Sequence, residues 1–129
     1  MSVGKIEHIN ITVKDPKITA AMLGKLFGWH IRWQGEAISG GFTIHVGTDD
    51  QYLAVYTGPT GKAAASAHTS YAQLGGLNHV GVVVDDFEAT EKCVLAAGFT
   101  PGEHYDYEPG RRFYFRDSDN IEYEVISYV

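Results

Sequence analysis

Two stretches of this chain share one pattern: KIEHINITVKDP at residues 5–16 and GLNHVGVVVDDF at residues 76–87. Each sets a histidine at the head of a run of β-branched residues, and each run closes on an aspartate. His8 and His79 lie 71 positions apart. An internal repeat constrains a fold strongly, because each copy is one supersecondary unit. In the first copy Ile9, Ile11 and Val13 alternate with His8, Asn10 and Thr12. In the second, Val80, Val82 and Val84 alternate with His79, Gly81 and Val83. A period of two marks a strand with one face on a core. Both histidines fall on the other face.

A helix is expected after each strand. Asp15 and Pro16 suit the N-cap and first helical position, and Ile18, Met22 and Leu26 recur at helical spacing until Gly28. In the second half Asp85 with Glu88 opens a helix, with Phe87, Val94 and Leu95 as its apolar stripe and Gly98 as its stop. Strands are expected at 29–33, 42–46 and 52–56, then near Phe99 and at 111–116 and 121–128. Each half reads β-α-β-β-β, an α+β architecture of two modules. The expected assembly is one half-barrel sheet with the helices on its outer face and the histidines on the concave face. Module one spans 4–57 and module two 77–129. Residues 58–76, rich in Gly, Ala, Ser and Thr without a period, read as a linker. Neither half buries much alone, so the modules are taken as a single domain, 1–129.

On the last strand, alternation sets Glu124 on the face opposite Val125, and matching strand ends makes Ala54 its counterpart in module one. Tyr52 and Tyr56 share Ala54's face; Arg112 and Tyr114 stand opposite Phe113 and Phe115. Two imidazoles and a carboxylate form a set that can hold a divalent metal and leave positions open for substrate, water or oxygen. His and carboxylate ligands suit Fe, Mn, Zn, Ni or Co.

The paired modules, the strand histidine in each, and FYFRDSDNIEYEV near the end resemble the vicinal oxygen chelate superfamily of glyoxalases, bleomycin resistance proteins and extradiol dioxygenases. The resemblance spans nearly the whole chain outside the linker. It implies metal positions at His8, His79 and Glu124, with Ala54 where glyoxalase I carries a fourth ligand. It implies a Tyr ten residues before the metal Glu, as in the dioxygenases, which Tyr114 matches; their Pro-x-Gly turn is replaced by Ser118-Asp119-Asn120. The fosfomycin-modifying members carry a Thr where this chain has Asn10, which weighs against that substrate. A dioxygenase needs an acid–base histidine; His45, His68 and His104 are the candidates. The expected site therefore has His45 and Tyr114 as catalytic residues, and Tyr52, Tyr56, Arg112 and Asn10 as substrate contacts. The expected activity is a ring-cleaving dioxygenase or a glyoxalase-like lyase or isomerase. The alternative is a non-catalytic binding or sequestering protein on the same scaffold. The family implies a small-molecule substrate and a homodimer.

Composition excludes some partners. A net charge of -6 argues against phosphate-based nucleic-acid binding, and no apolar run approaches the roughly 20 residues that span a bilayer. With no signal-like apolar segment at the start, a cytoplasmic protein is expected. Cys93, the single cysteine, reads as a buried, inert thiol, and His30 as an outward strand residue.

Overall fold

A computed structural model describes residues 2–65, 70–107 and 110–129. The chain divides into two compact units, residues 1–64 and 65–129. Unit one runs β1 (His8–Thr12), α1 (Pro16–Phe27), β2 (His30–Glu36), β3 (Phe42–Gly47) and β4 (Tyr52–Thr57). Unit two repeats the order with β5 (Val80–Val83), α2 (Phe87–Ala96), β6 (Tyr105–Tyr107), β7 (Gly110–Arg116) and β8 (Glu122–Ser127). Each unit holds a mixed four-stranded sheet, ordered β1-β4-β3-β2 and β5-β8-β7-β6. The β-α-β-β-β repeat and the α+β class are therefore as the sequence predicts. Among the described residues, strand pairing stays within each sheet rather than running through one combined sheet.

Local chemistry sets the helix ends. The Asp15 side chain accepts from the Lys17 amide at 3.0 Å, Pro16 presets the first turn, and Gly28 closes α1 at φ 71°. The cap of α2 is Asp86, not Asp85: its carboxylate accepts from the Ala89 amide at 3.0 Å. Two adjacent aspartates can each cap; the one chosen lets Phe87 and Val94 be buried.

The buried face of α1 is Pro16, Thr19, Ala20, Leu23 and Leu26, so Ile18, at 68% exposed, is not part of it. Ile18 lies one position, about 100° of helix rotation, from the buried Thr19. Leu95 and Cys93 are likewise exposed on α2, which corrects the expectation of a buried thiol. No strand forms at Phe99; its ring instead stacks on Phe115 with centroids 5.8 Å apart, and the third strand of the second unit lies further on, at β6. The first core is aliphatic around Leu23, Ile44, Val46 and Val55, whereas the second is built on Phe87, Phe113, Phe115 and Tyr123. Ile9, meant for the core, is 37% exposed on the edge strand β1.

Strand register fixes what faces what. The parallel pair β1–β4 sets His8 opposite Tyr52 and Asn10 opposite Ala54. The parallel pair β5–β8 sets Gly81 opposite Glu124. His8 precedes Asn10 by two and His79 precedes Gly81 by two, so Ala54 and Glu124 are equivalent positions. The antiparallel pairs agree: His45 faces Ala54 as Tyr114 faces Glu124, and Gly47 faces Tyr52 as Arg116 faces Glu122.

Candidate functional site

In the first unit the sheet face opposite α1 carries His8, His45 and Tyr52. The Tyr52 ring stacks on both imidazoles, 4.8 Å from His8 and 4.5 Å from His45. The Arg32 guanidinium lies 4.5 Å from the same ring. Gly47 permits this: a Cβ there would come within 2.6 Å of Tyr52 Cα. Glu7 ties the row together. Its Oε1 lies 2.8 Å from His8 Nδ1 and accepts from Tyr52 Oη at 3.3 Å. The His8 contact holds the Glu7 carboxyl below its ordinary value, against a smaller opposing effect of desolvation. Burial, then Glu7, pushes the Tyr52 phenol up. Burial, with the nearby His8 and Arg32, pushes the His45 imidazole down, favouring its neutral form. Asn10 is exposed on this face, and Tyr56 is spoken for, its phenol donating to the Ile38 carbonyl at 3.1 Å.

In the second unit the equivalent face is charged. Glu124 Oε2 accepts from Tyr114 Oη at 2.5 Å and pairs with Arg112 Nη1 at 3.5 Å. Both partners of that ion pair are shielded, at 14% and 12% side-chain exposure. Arg116 Nη2 pairs with Glu122 Oε2 at 3.2 Å. The His79 ring meets Tyr114 edge-on at 5.5 Å. Its Nδ1 lies 3.3 Å from Tyr71 Oη, and that phenol donates to Glu122 Oε1 at 2.8 Å. The Glu122 bond pushes the Tyr71 phenol up. An open hollow of about 470 Å3 lies between residues 98–102 and β7, touching Tyr114, Arg116 and Glu122 but lined by none of His79, Arg112 and Glu124.

The structure thus gathers Glu124, Tyr114, Arg112 and His79 in the second unit, and His8, Tyr52 and His45 in the first. His104 stands elsewhere: it contacts Glu91, Phe87 and Phe113 on the helix side of its sheet. His68 lies outside the described residues. Sequence reasoning missed Glu7, Arg32 and above all Tyr71, which sits in a 3-10 turn (Ser70–Ala72) of the expected linker. Its bond to Glu122 spans 51 positions, and no periodicity announces a contact of that range.

The histidines share one feature that bears on metal binding. In each ring Nδ1 is engaged, and among the described residues Nε2 has no hydrogen-bond partner. Rings held this way at Nδ1 are the usual form of a metal-binding histidine. Among the described residues no three His, Cys, Asp or Glu side chains converge as a metal cluster. Taken singly, the imidazoles of His8 and His79 and the carboxylate of Glu124 are donor types that divalent cations accept.

Comparison with known proteins yields a consistent fold. The family model described as Glyoxalase/Bleomycin resistance protein/Dioxygenase superfamily matches residues 5–125. No curated protein matches. A glyoxylase/bleomycin resistance protein/dioxygenase domain from Frankia sp. EAN1pec superimposes with TM-score 0.80 at 18% identity, covering 98% of each chain. The fosfomycin resistance protein FosX from Mesorhizobium loti gives 0.72 at 22% identity, over 97% of this chain and 92% of that one. FosX from Listeria monocytogenes, solved with Mn(II) and sulfate, gives 0.73 at 18% identity, over 98% and 93%. No helix among the described residues is long and apolar enough to cross a membrane.

Proposed function

Because the chain belongs to the glyoxalase/bleomycin resistance protein/dioxygenase superfamily, we propose that it is a metal-dependent enzyme acting on a small molecule with two adjacent oxygens. His8, His79 and Glu124 would hold a divalent cation, with Fe, Mn, Zn, Ni and Co as the candidates. The observation that carries this reading is the matched engagement of Nδ1 in both repeated histidines, which leaves both Nε2 atoms as donors. When bound, such a cation polarises the substrate oxygens and stabilises the oxyanion that forms.

The chain's own residues supply the rest. Tyr114 and Arg112 hold Oε2 of Glu124, leaving Oε1 as its coordinating atom. Arg112 and Tyr114 also present a cation and a phenol to an anionic substrate. His45, favoured in its neutral form by burial, is suited to take a proton. Ala54 leaves the fourth symmetric place without a donor, and Asn10 and Tyr52 would contact substrate beside it. Three protein donors suit a ring-cleaving dioxygenase or a glyoxalase-like lyase or isomerase working as a homodimer in the cytoplasm. Asn10 in place of the Thr of fosfomycin-modifying members argues against that substrate.

A second reading, a metal-free binding protein, draws on one observation: Arg112 already neutralises Glu124. Elemental analysis of protein purified without added metal, alongside His79→Ala and Glu124→Gln, separates the two. Near-stoichiometric metal, lost in both variants, supports the enzyme. Iron directs assays to ring cleavage, and zinc, nickel or manganese to the lyase or isomerase. No transition metal even after reconstitution, with small-molecule affinity kept in His79→Ala, overturns it in favour of the binding protein.

A further inference from the structure

We infer that Tyr71, carried by the segment joining the two modules, is a positioning residue for His79, an inference that rests on the reading of His79 as a metal ligand. A phenol has one proton to give. Tyr71 gives it to Glu122 Oε1 at 2.8 Å, because an ionised carboxylate only accepts. Toward His79 Nδ1, at 3.3 Å, the phenol oxygen is then an acceptor, so Nδ1 carries the proton of the neutral ring. Nε2 is left with its lone pair. The chain of groups continues to Arg116, which holds the other oxygen of Glu122 at 3.2 Å. Each link therefore has a fixed polarity.

The phenol is needed because Glu122 is out of reach. Its Oε1 lies 3.7 Å from His79 Nδ1, too far for a hydrogen bond. In the first module His8 Nδ1 meets Glu7 directly at 2.8 Å and needs no bridge. Tyr71 thus supplies in the second module what direct contact supplies in the first. It also gives the joining segment a role: its 3-10 turn delivers one oxygen to the back of a ligand ring. Outer groups of this kind set ring orientation and tautomer and tune affinity by roughly 10–100-fold.

The test is Tyr71→Phe, which removes that oxygen and keeps the ring. Tyr71 is exposed, so the variant is expected to fold as the wild type does. Long-range 1H–15N spectra of the metal-free protein, at a pH where the rings are neutral, read the tautomer of each histidine. The wild type is expected to show His79 protonated at Nδ1, and the variant to lose that preference while His8 keeps its own. Calorimetric titration with Mn(II) is expected to show affinity weakened roughly 10–100-fold. An unchanged His79 tautomer in Tyr71→Phe overturns the role of Tyr71. A wild type that takes up no Mn(II) sinks the metal reading instead, and the tautomer comparison, made without metal, still decides on Tyr71. Glu124→Gln serves as the control that loses metal and keeps the tautomer.

Discussion

The two modules share a backbone pattern and differ in what they place on equivalent positions. Module one sets Thr43, His45 and Gly47 opposite Tyr56, Ala54 and Tyr52. Module two sets Arg112, Tyr114 and Arg116 opposite Ile126, Glu124 and Glu122. Four charges stand on these positions in the second sheet and none in the first if His45 is neutral. The carboxylate behind the histidine also changes place. In module one it is Glu7, beside His8 in sequence; in module two it is Glu122, at the start of β8, the strand paired with β5, and joined to the ring through Tyr71. A repeated backbone therefore fixes where side chains point, while the work is divided unequally between the copies.

The largest expected effect tests the cores. Phe113→Ala removes a fully buried ring that packs on Phe87 at 5.3 Å, and should cost about 3–5 kcal/mol. Ile44→Ala in the aliphatic core should cost about 2–5 kcal/mol. Urea denaturation followed by probes in each unit measures both. Losses confined to the mutated unit would mark the modules as separate cooperative units; equal losses in both would mark one.

A smaller effect tests the turns that join the paired strands. In the β7–β8 turn Asp117 Oδ1 accepts from the Asp119 and Ile121 amides, and Oδ2 from the Tyr123 phenol. In the β3–β4 turn Thr48 Oγ1 accepts from the Asp50 amide at 3.2 Å. Asp117→Ala removes an acceptor of three hydrogen bonds, two from amides and one from the buried Tyr123, and should cost about 1–3 kcal/mol, against about 0.5–1.5 kcal/mol for Thr48→Ala. Comparable losses would remove the asymmetry argued for the turns.

Ala54→Glu attacks the functional asymmetry directly. Ala54 is only 3% exposed, and it faces His45 where Glu124 faces Tyr114. Without an Arg112–Tyr114 equivalent to receive it, the new carboxylate should lower stability by about 1–3 kcal/mol. A thermal melt reads this. A variant as stable as wild type, and binding Mn(II) more tightly, would mean that module one can accept a fourth donor.

Much of this comparison was legible in the sequence because strand alternation has a period of two. Once His8 and His79 were aligned, Ala54 and Glu124 followed, and the strand register bears out that match. Phe113 and Phe115 against Arg112 and Tyr114 followed in the same way. Helix faces were less legible, since Ile18 and Thr19 differ by one step and only packing against the sheet chooses between them. Strand β6 was missed because EHYDY carries polar residues and no β-branched run. Tyr71 was out of reach for a different reason. Its partners lie 8 and 51 positions away, and a turn rather than a repeat brings them together.

The smallest effect, and the most specific, concerns how stability varies with pH at the β7–β8 turn. Burial raises the Asp117 carboxyl above its ordinary value, despite the amide and phenol hydrogen bonds that favour its ionised form. An acid with a raised folded-state pKa binds its proton more tightly folded than unfolded. The stability it contributes is present below the unfolded value, about 3.9, and is lost as pH rises through the higher folded value. Asp117→Asn has no proton to lose and lacks that component. The stability of wild type minus variant, measured by urea denaturation from pH 3 upward, is therefore expected to fall with rising pH and then level off. Thr48, the counterpart in module one, contributes no such component, so Thr48→Ser should leave the profile unchanged. A difference that grows with pH would mean that the hydrogen bonds outweigh burial at Asp117, and that its charge stabilises the turn.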